Sequence, residues 1–128
     1  MISNDSKRYK QTLTTLGQIF VNPINNVFIQ FAIEVDNPSE LPFLLEKVRD
    51  TTVGLYTKTD GLRLYDNNKN KESIKIHRIP RKIKNLEDCC DWINNEFTPD
   101  SRYSMATIAS DDTRVVVNSN HALTDGGY

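Results

Sequence analysis

The chain has 128 residues, and 16 Lys and Arg against 17 Asp and Glu leave a net charge of −1. That is the length of one domain, too short for two cores of ordinary size, and the 38% hydrophobic and 26% charged residues suit a folded chain and exclude wholesale disorder. The balanced charge offers no cationic excess to displace phosphate counterions, so no nucleic-acid partner is expected.

No apolar run approaches the roughly 18 residues of a membrane span, and the opening Met1–Arg8 lacks the apolar stretch of a secretory signal. A cytoplasmic location is expected. The two cysteines, Cys89 and Cys90, are neighbours, and a bridge between adjacent residues strains disulfide geometry, so both are expected to be reduced, with one thiol facing a core. No further ligands are spaced for zinc, and no metal is expected.

In chain order, Leu13, Leu16, Ile19 and Phe20 give a short helix-like spacing around Gly17, broken at Asn22-Pro23. Val27–Val35 alternates strongly, with Val27, Ile29, Phe31, Ile33 and Val35 on one side, and predicts a strand with a fully apolar face. Asn37-Pro38-Ser39-Glu40 starts a helix with Ser39 as the cap and Pro42 in the first turn, where its missing N–H costs nothing. Leu41, Leu44, Leu45 and Val48 continue it along one face to Asp50. A strand at Val53–Lys58, the turn Asp60-Gly61 and a second strand at Leu62–Tyr65 form a hairpin.

Ser73–Ile79 alternates weakly, Ile74 and Ile76 inward and His77 outward into solvent, and ends at Pro80. A second helix, Asn85–Phe97, has Asn85 as its cap and Leu86, Cys89, Cys90, Ile93 and Phe97 on one face, with Trp92 off it. Tyr103–Ala109, the turn at Ser110–Asp112 and Arg114–Asn118 make a closing hairpin. The order predicts an α+β fold over residues 1–128: a mixed, mainly antiparallel sheet built on Val27–Val35 and Arg114–Asn118, flanked by helices near Ser39–Asp50 and Asn85–Phe97.

The stretch that bears on chemistry is the last, Val115-Val116-Val117-Asn118-Ser119-Asn120-His121-Ala122-Leu123-Thr124-Asp125-Gly126. A β-branched strand delivers a histidine, an aspartate comes four residues later, and glycine follows. A strand end holds an imidazole rigidly at a cleft, where a neutral histidine can accept a proton near pH 7. Asp125 can fix either the ring or the loop behind it, and Gly126 lets a ligand approach the main chain. Taken alone, a histidine at a strand end is more often a surface or packing residue, and Asp-Gly-Gly more often a turn.

Asn120-His121-Ala122-Leu123-Thr124-Asp125-Gly126 resembles the HHxxxDG motif of the chloramphenicol acetyltransferase-like superfamily of CoA-dependent acyltransferases, which includes condensation domains and alcohol acetyltransferases. The approach is similar too: a helix, then a hairpin whose second strand carries the motif. Leu45–Arg49, Gly54-Leu55-Tyr56-Thr57 and Asp60-Gly61 look like that family's helix, "LRT" strand and Asp-Gly. The sequence departs from the pattern at Asn120, which stands for the first histidine of the pair, and at Tyr56, which stands for the arginine that anchors the motif's aspartate in condensation domains.

The resemblance covers the family's N-terminal half, so residues 1–128 are expected to be one lobe of a CoA-dependent acyltransferase fold, truncated after the motif. It implies that His121 is the general base and that Asp125 and Gly126 give structural support. Acyl-CoA, or a carrier-protein thioester, would be the acyl donor and a small alcohol or amine the acceptor. The oxyanion donor would come from the other lobe. Tyr56 favours an alcohol acetyltransferase-like relative over a peptide-forming condensation domain of nonribosomal peptide synthetases. Two other readings stay open: a non-catalytic half-domain that binds partners or self-associates, and a small α+β binding domain carrying a chance His-x-x-x-Asp-Gly.

Overall fold

A computed structural model describes residues 9–12, by backbone alone, and 28–121. Strands are β1 (Tyr9–Thr12), β2 (Phe28–Glu34), β3 (Thr57–Thr59), β4 (Arg63–Asp66), β5 (Ile76–Arg78), β6 (Ala106–Ser110) and β7 (Arg114–Asn120); the helices are α1 (Leu41–Thr51) and α2 (Leu86–Glu96). They form a four-stranded sheet in the order β2-β7-β6-β5 and a three-stranded antiparallel sheet in the order β1-β4-β3. In the larger sheet β5 runs parallel to β6 and the other pairs are antiparallel. The fold is mixed α+β, as expected. The helix-like spacing at Leu13–Phe20 lies outside the described residues.

The core follows from the pleat of β7. Val115 and Val117 face one side, with Ile108, Ala106, Leu55 and Ile74, and α1 covers them through Leu41 and Val48. Val116 faces the other, with Ala109, Ile79 and Ile83, and α2 covers it through Cys89 and Ile93. Each helix therefore seals one face of the same central strand, and Val115, Val116 and Val117 are wholly buried. The free Cys89 and Cys90 belong to the α2 side, and burial raises both thiols above their ordinary value, which keeps them protonated and unreactive at neutral pH.

The caps explain the helix limits. Asn85 Oδ1 accepts the Asp88 N–H at 2.8 Å and starts α2 as anticipated. Before α1 the cap shifts: Asn37, not Ser39, accepts the Ser39 N–H and closes a short 3-10 turn, Pro38–Glu40, that feeds the helix. The expected Val53–Lys58 strand is a 3-10 turn, Val53–Tyr56, before the short β3: the Leu55 N–H donates to the Thr52 carbonyl and the Thr57 N–H to the Gly54 carbonyl, so the segment bonds to itself. Gly61 (φ +97°) turns the β3–β4 hairpin, where Asp60 Oδ1 accepts the Leu62 and Arg63 N–H groups.

The expected strand with one apolar face is β2, and that face is largely open: Ile29, Phe31 and Ile33 are 40%, 42% and 38% exposed. Among the described residues β2 is an edge strand, and its more covered side is the other one, where Ala32 packs with the α2 cluster and Gln30 reaches Asn118. His77 is not solvated but half-buried, stacked on Phe97 with ring centroids 3.7 Å apart. Trp92 packs onto the same cluster, edge-on to Phe97. Among the described residues no helix is long and apolar enough to cross a membrane.

Ile93 is wholly buried beneath the sheet, so Ile93→Ala is expected to cost about 2–5 kcal/mol, read as a lowered urea midpoint with unchanged slope.

Candidate functional site

The C-terminal end of β7 changes character from apolar to polar: Val115-Val116-Val117 gives way to Asn118-Ser119-Asn120 before His121. Asn118 and Asn120 are wholly buried, and buried amides must be hydrogen-bonded to be tolerated. Asn118 Nδ2 donates to Asn94 Oδ1 of α2 at 3.2 Å, and Gln30 Nε2 donates to Asn118 Oδ1 at 3.0 Å. This network ties the strand end to the helix on one face and to β2 at its edge.

Asn120 makes the second anchor. Its Nδ2 donates to Ser101 Oγ at 3.1 Å, and its backbone N–H donates to the Met105 carbonyl at 2.8 Å. The Ser101 carbonyl in turn accepts the Thr59 N–H of β3 at 2.9 Å. The last residue of β7 is thereby bolted, through one buried serine, to the neighbouring three-stranded sheet. His121 follows immediately, half-buried, in a 3-10 conformation that ends the strand. Its place is set by backbone that cannot move without breaking these bonds.

Asp125 and Gly126 lie outside the described residues. Asn120, the first residue of the expected motif, anchors the strand end through its bonds to Ser101 and Met105. Tyr56 is likewise committed elsewhere: its hydroxyl donates to the Arg49 carbonyl at 2.8 Å near the end of α1, and burial raises its pKa. Ser101, Asn94 and Gln30 were not singled out by sequence; the signal that points to them is the run of amides after the valines, which demands partners that only the fold can supply.

The charged groups collect at the opposite end of β7. Arg114 pairs with Asp111, Nη2 to Oδ2 at 2.6 Å, and also donates to the Ile83 carbonyl. Burial alone would raise the Asp111 carboxyl, but hydrogen bonds from Arg114 and from the Thr113 and Arg114 N–H groups outweigh it and hold the pKa below the ordinary value. These residues, with Arg78, Arg81 and Lys84, line a cavity of about 440 Å³. Seven residues of strand, about 23 Å at 3.3 Å each, separate it from His121, so it belongs to a different surface. Among the described residues there is no group of three His, Cys, Asp or Glu arranged to hold a metal.

No family model and no curated protein matches the sequence. Among solved structures, the chain is similar to one from work on condensation domain-mediated chain release from the enacyloxin polyketide synthase, with a TM-score of 0.47 and 11% identity. The match takes in 94% of this chain but spans only 28% of that one. A likeness at this level carries no functional assignment.

Asn120→Ala is expected to cost about 1–3 kcal/mol, because it leaves the buried Ser101 hydroxyl without its amide partner. Chemical denaturation measures it. A pH test applies to His77, whose pKa lies below the ordinary 6.5 through desolvation, then through Lys75. The unfolded chain binds the proton more readily, so this contribution to stability is full above pH 6.5 and is lost as pH falls through the lowered value. Loss from the depressed carboxylate of Asp111 comes later, below its ordinary 3.8. Thermal midpoints between pH 7.5 and 5 should fall for the wild type and fall less for His77→Phe, which keeps the stack on Phe97.

Proposed function

We propose that the chain is an acyltransferase lobe of the chloramphenicol acetyltransferase-like kind, with His121 as general base. The carrying observation is the doubly anchored end of β7: a half-buried imidazole directly follows a fully buried residue held by Ser101 and Met105. General-base catalysis needs that combination of fixed position and access, since misplacement by an ångström forfeits much of the gain from orientation. The residues that follow, with Asp125 and Gly126, complete the resemblance at the level of sequence.

In this reading His121 takes the proton from an acceptor hydroxyl or amine as that atom attacks the carbonyl carbon of an acyl thioester. The tetrahedral oxyanion collapses, the carbon–sulfur bond breaks, and the imidazolium returns its proton to the departing thiolate of CoA or of a carrier protein. No covalent acyl-enzyme forms. Asp125 holds the loop and the ring orientation, Gly126 keeps the approach to the ring clear, and the donor to the oxyanion comes from a complementary lobe. Tyr56, with its hydroxyl bound to the Arg49 carbonyl, does not reproduce the arginine of condensation domains, which favours an alcohol or small amine as acceptor.

The second reading, a half-domain that acts by binding, is favoured by a different observation, the exposed apolar side of β2.

The test is free CoA released from acetyl-CoA and a small alcohol or amine, by the chain together with a complementary lobe of this family, read by chromatography. His121→Ala is expected to lower the rate roughly 10²–10⁴-fold with the thermal midpoint unchanged, and Asp125→Asn to lower recovery of folded protein more than the rate per folded molecule. Undiminished release from His121→Ala removes His121 as base. No release from a folded wild-type assembly removes the acyltransferase reading in favour of the binding one.

A further inference from the structure

The two edges of the larger sheet differ. β5 is a guarded edge: it has three residues, stands between Lys75 and Pro80, and carries His77 and Arg78. Short length, positive charge and proline are the usual means of preventing another strand from adding. β2 has none of them. It runs seven residues, Phe28-Ile29-Gln30-Phe31-Ala32-Ile33-Glu34, without lysine, arginine or proline, and its only charge is at one end. Among the described residues it pairs along one edge, with β7.

The register shows what the other edge offers. The Val35 N–H donates to the Thr113 carbonyl at 2.8 Å, and β2 and β7 stay in one register from Glu34–Arg114 to Phe28–Asn120. In an antiparallel ladder the inward-bonded residues alternate, so Ile33, Phe31 and Ile29 share the phase of Val35 and turn their backbone groups to β7. The N–H and C=O groups of Phe28, Gln30, Ala32 and Glu34 therefore face away from β7.

We propose that this edge pairs with the β2 edge of a second copy of the chain, antiparallel, about a two-fold axis at Phe31. That axis sets Gln30 opposite Ala32 and Phe28 opposite Glu34, so all four outward-facing residues exchange their backbone bonds. It places Phe31 against Phe31 in a non-hydrogen-bonded pair, where side chains approach most closely, with Ile29 opposite Ile33 on either side. The exposed apolar row becomes one continuous stripe across both copies. No like charges meet, because Glu34 faces Phe28. The pattern is palindromic in the property that matters, apolar at 29, 31 and 33 about its centre, and this self-complementarity selects a second copy as the occupant. One strand per subunit makes a small interface, so the dimer should be of micromolar strength.

Sedimentation velocity between about 5 and 500 µM, with amide hydrogen exchange at both extremes, tests this. The wild type is expected to pass from monomer to dimer, with the Gln30 and Ala32 amides slowing as it does and the Phe31 amide, already bonded to β7, little changed. Phe31→Lys, at an exposed position, should weaken the dimer by about tenfold or more, and so should Phe31→Glu; mixing the two should restore association by pairing opposite charges across the axis. A wild type monomeric throughout overturns the proposal, as does a dimer without new protection at Gln30 and Ala32. Failure of the Lys and Glu variants to associate when mixed, while each remains folded by circular dichroism, overturns the two-fold axis at Phe31.

Discussion

The structure depends on the burial of β7, in which every residue but Ser119 is buried. It is flanked on both edges by β2 and β6, and covered on one face by α1 and on the other by α2. A strand so enclosed has to be apolar on both faces where the helices lie, which the run Val115-Val116-Val117 satisfies with β-branched side chains suited to a pleated surface. Everything else is arranged around that enclosure. The helices are amphipathic because each has one sheet face to seal, and the second sheet is tied in by hydrogen bonds to Ser101 and Met105 in the segment before β6.

Where the valines stop, polar groups take over the task of fixing the strand, and the two ends do so differently. At the start, Arg114 and Asp111 form a short ion pair across the β6–β7 turn, largely hidden from water and reinforced by the Ile83 carbonyl. At the finish, Asn118 and Asn120 bind neutral partners, Asn94, Gln30 and Ser101. A buried charge pair tolerates no loss of either member, while neutral amides exact a smaller cost and leave no uncompensated charge beside the residue that follows.

Much of this was legible from the chain. The two helices announce themselves by spacing at i, i+3, i+4 and by Asn85 and Pro42, and β7 by its valines, because those signals are local. What was not legible depends on neighbours in space. Alternation in β2 tells that Ile29, Phe31 and Ile33 share a face, but only the sheet order tells that α1 sits over β7 and leaves that face open. Gln30 and Ala32, the less apolar side, are half-buried because Asn94 and Asn118 supply the amide partners and α2 the cover. His77 reads as a solvent residue until Phe97, twenty positions on, is folded onto it. β1, Tyr9-Lys10-Gln11-Thr12, has no apolar period and exists through its pairing with β4. At the candidate site, the amides after the valines were legible in the chain, and their partner Ser101 was not.

The same separation bears on how a site of this kind could change. The strand end is secured by Asn120 and the valines before it. His121 follows directly on this anchored backbone, which Ser101 and Met105 hold across the sheet junction. Substitutions at 101, 118 or 120 are therefore expected to act on geometry and stability together. Asparagine at position 120 fits this division: an amide there satisfies a buried serine at no cost in charge, which an imidazole, able to gain a proton, would not do at every pH.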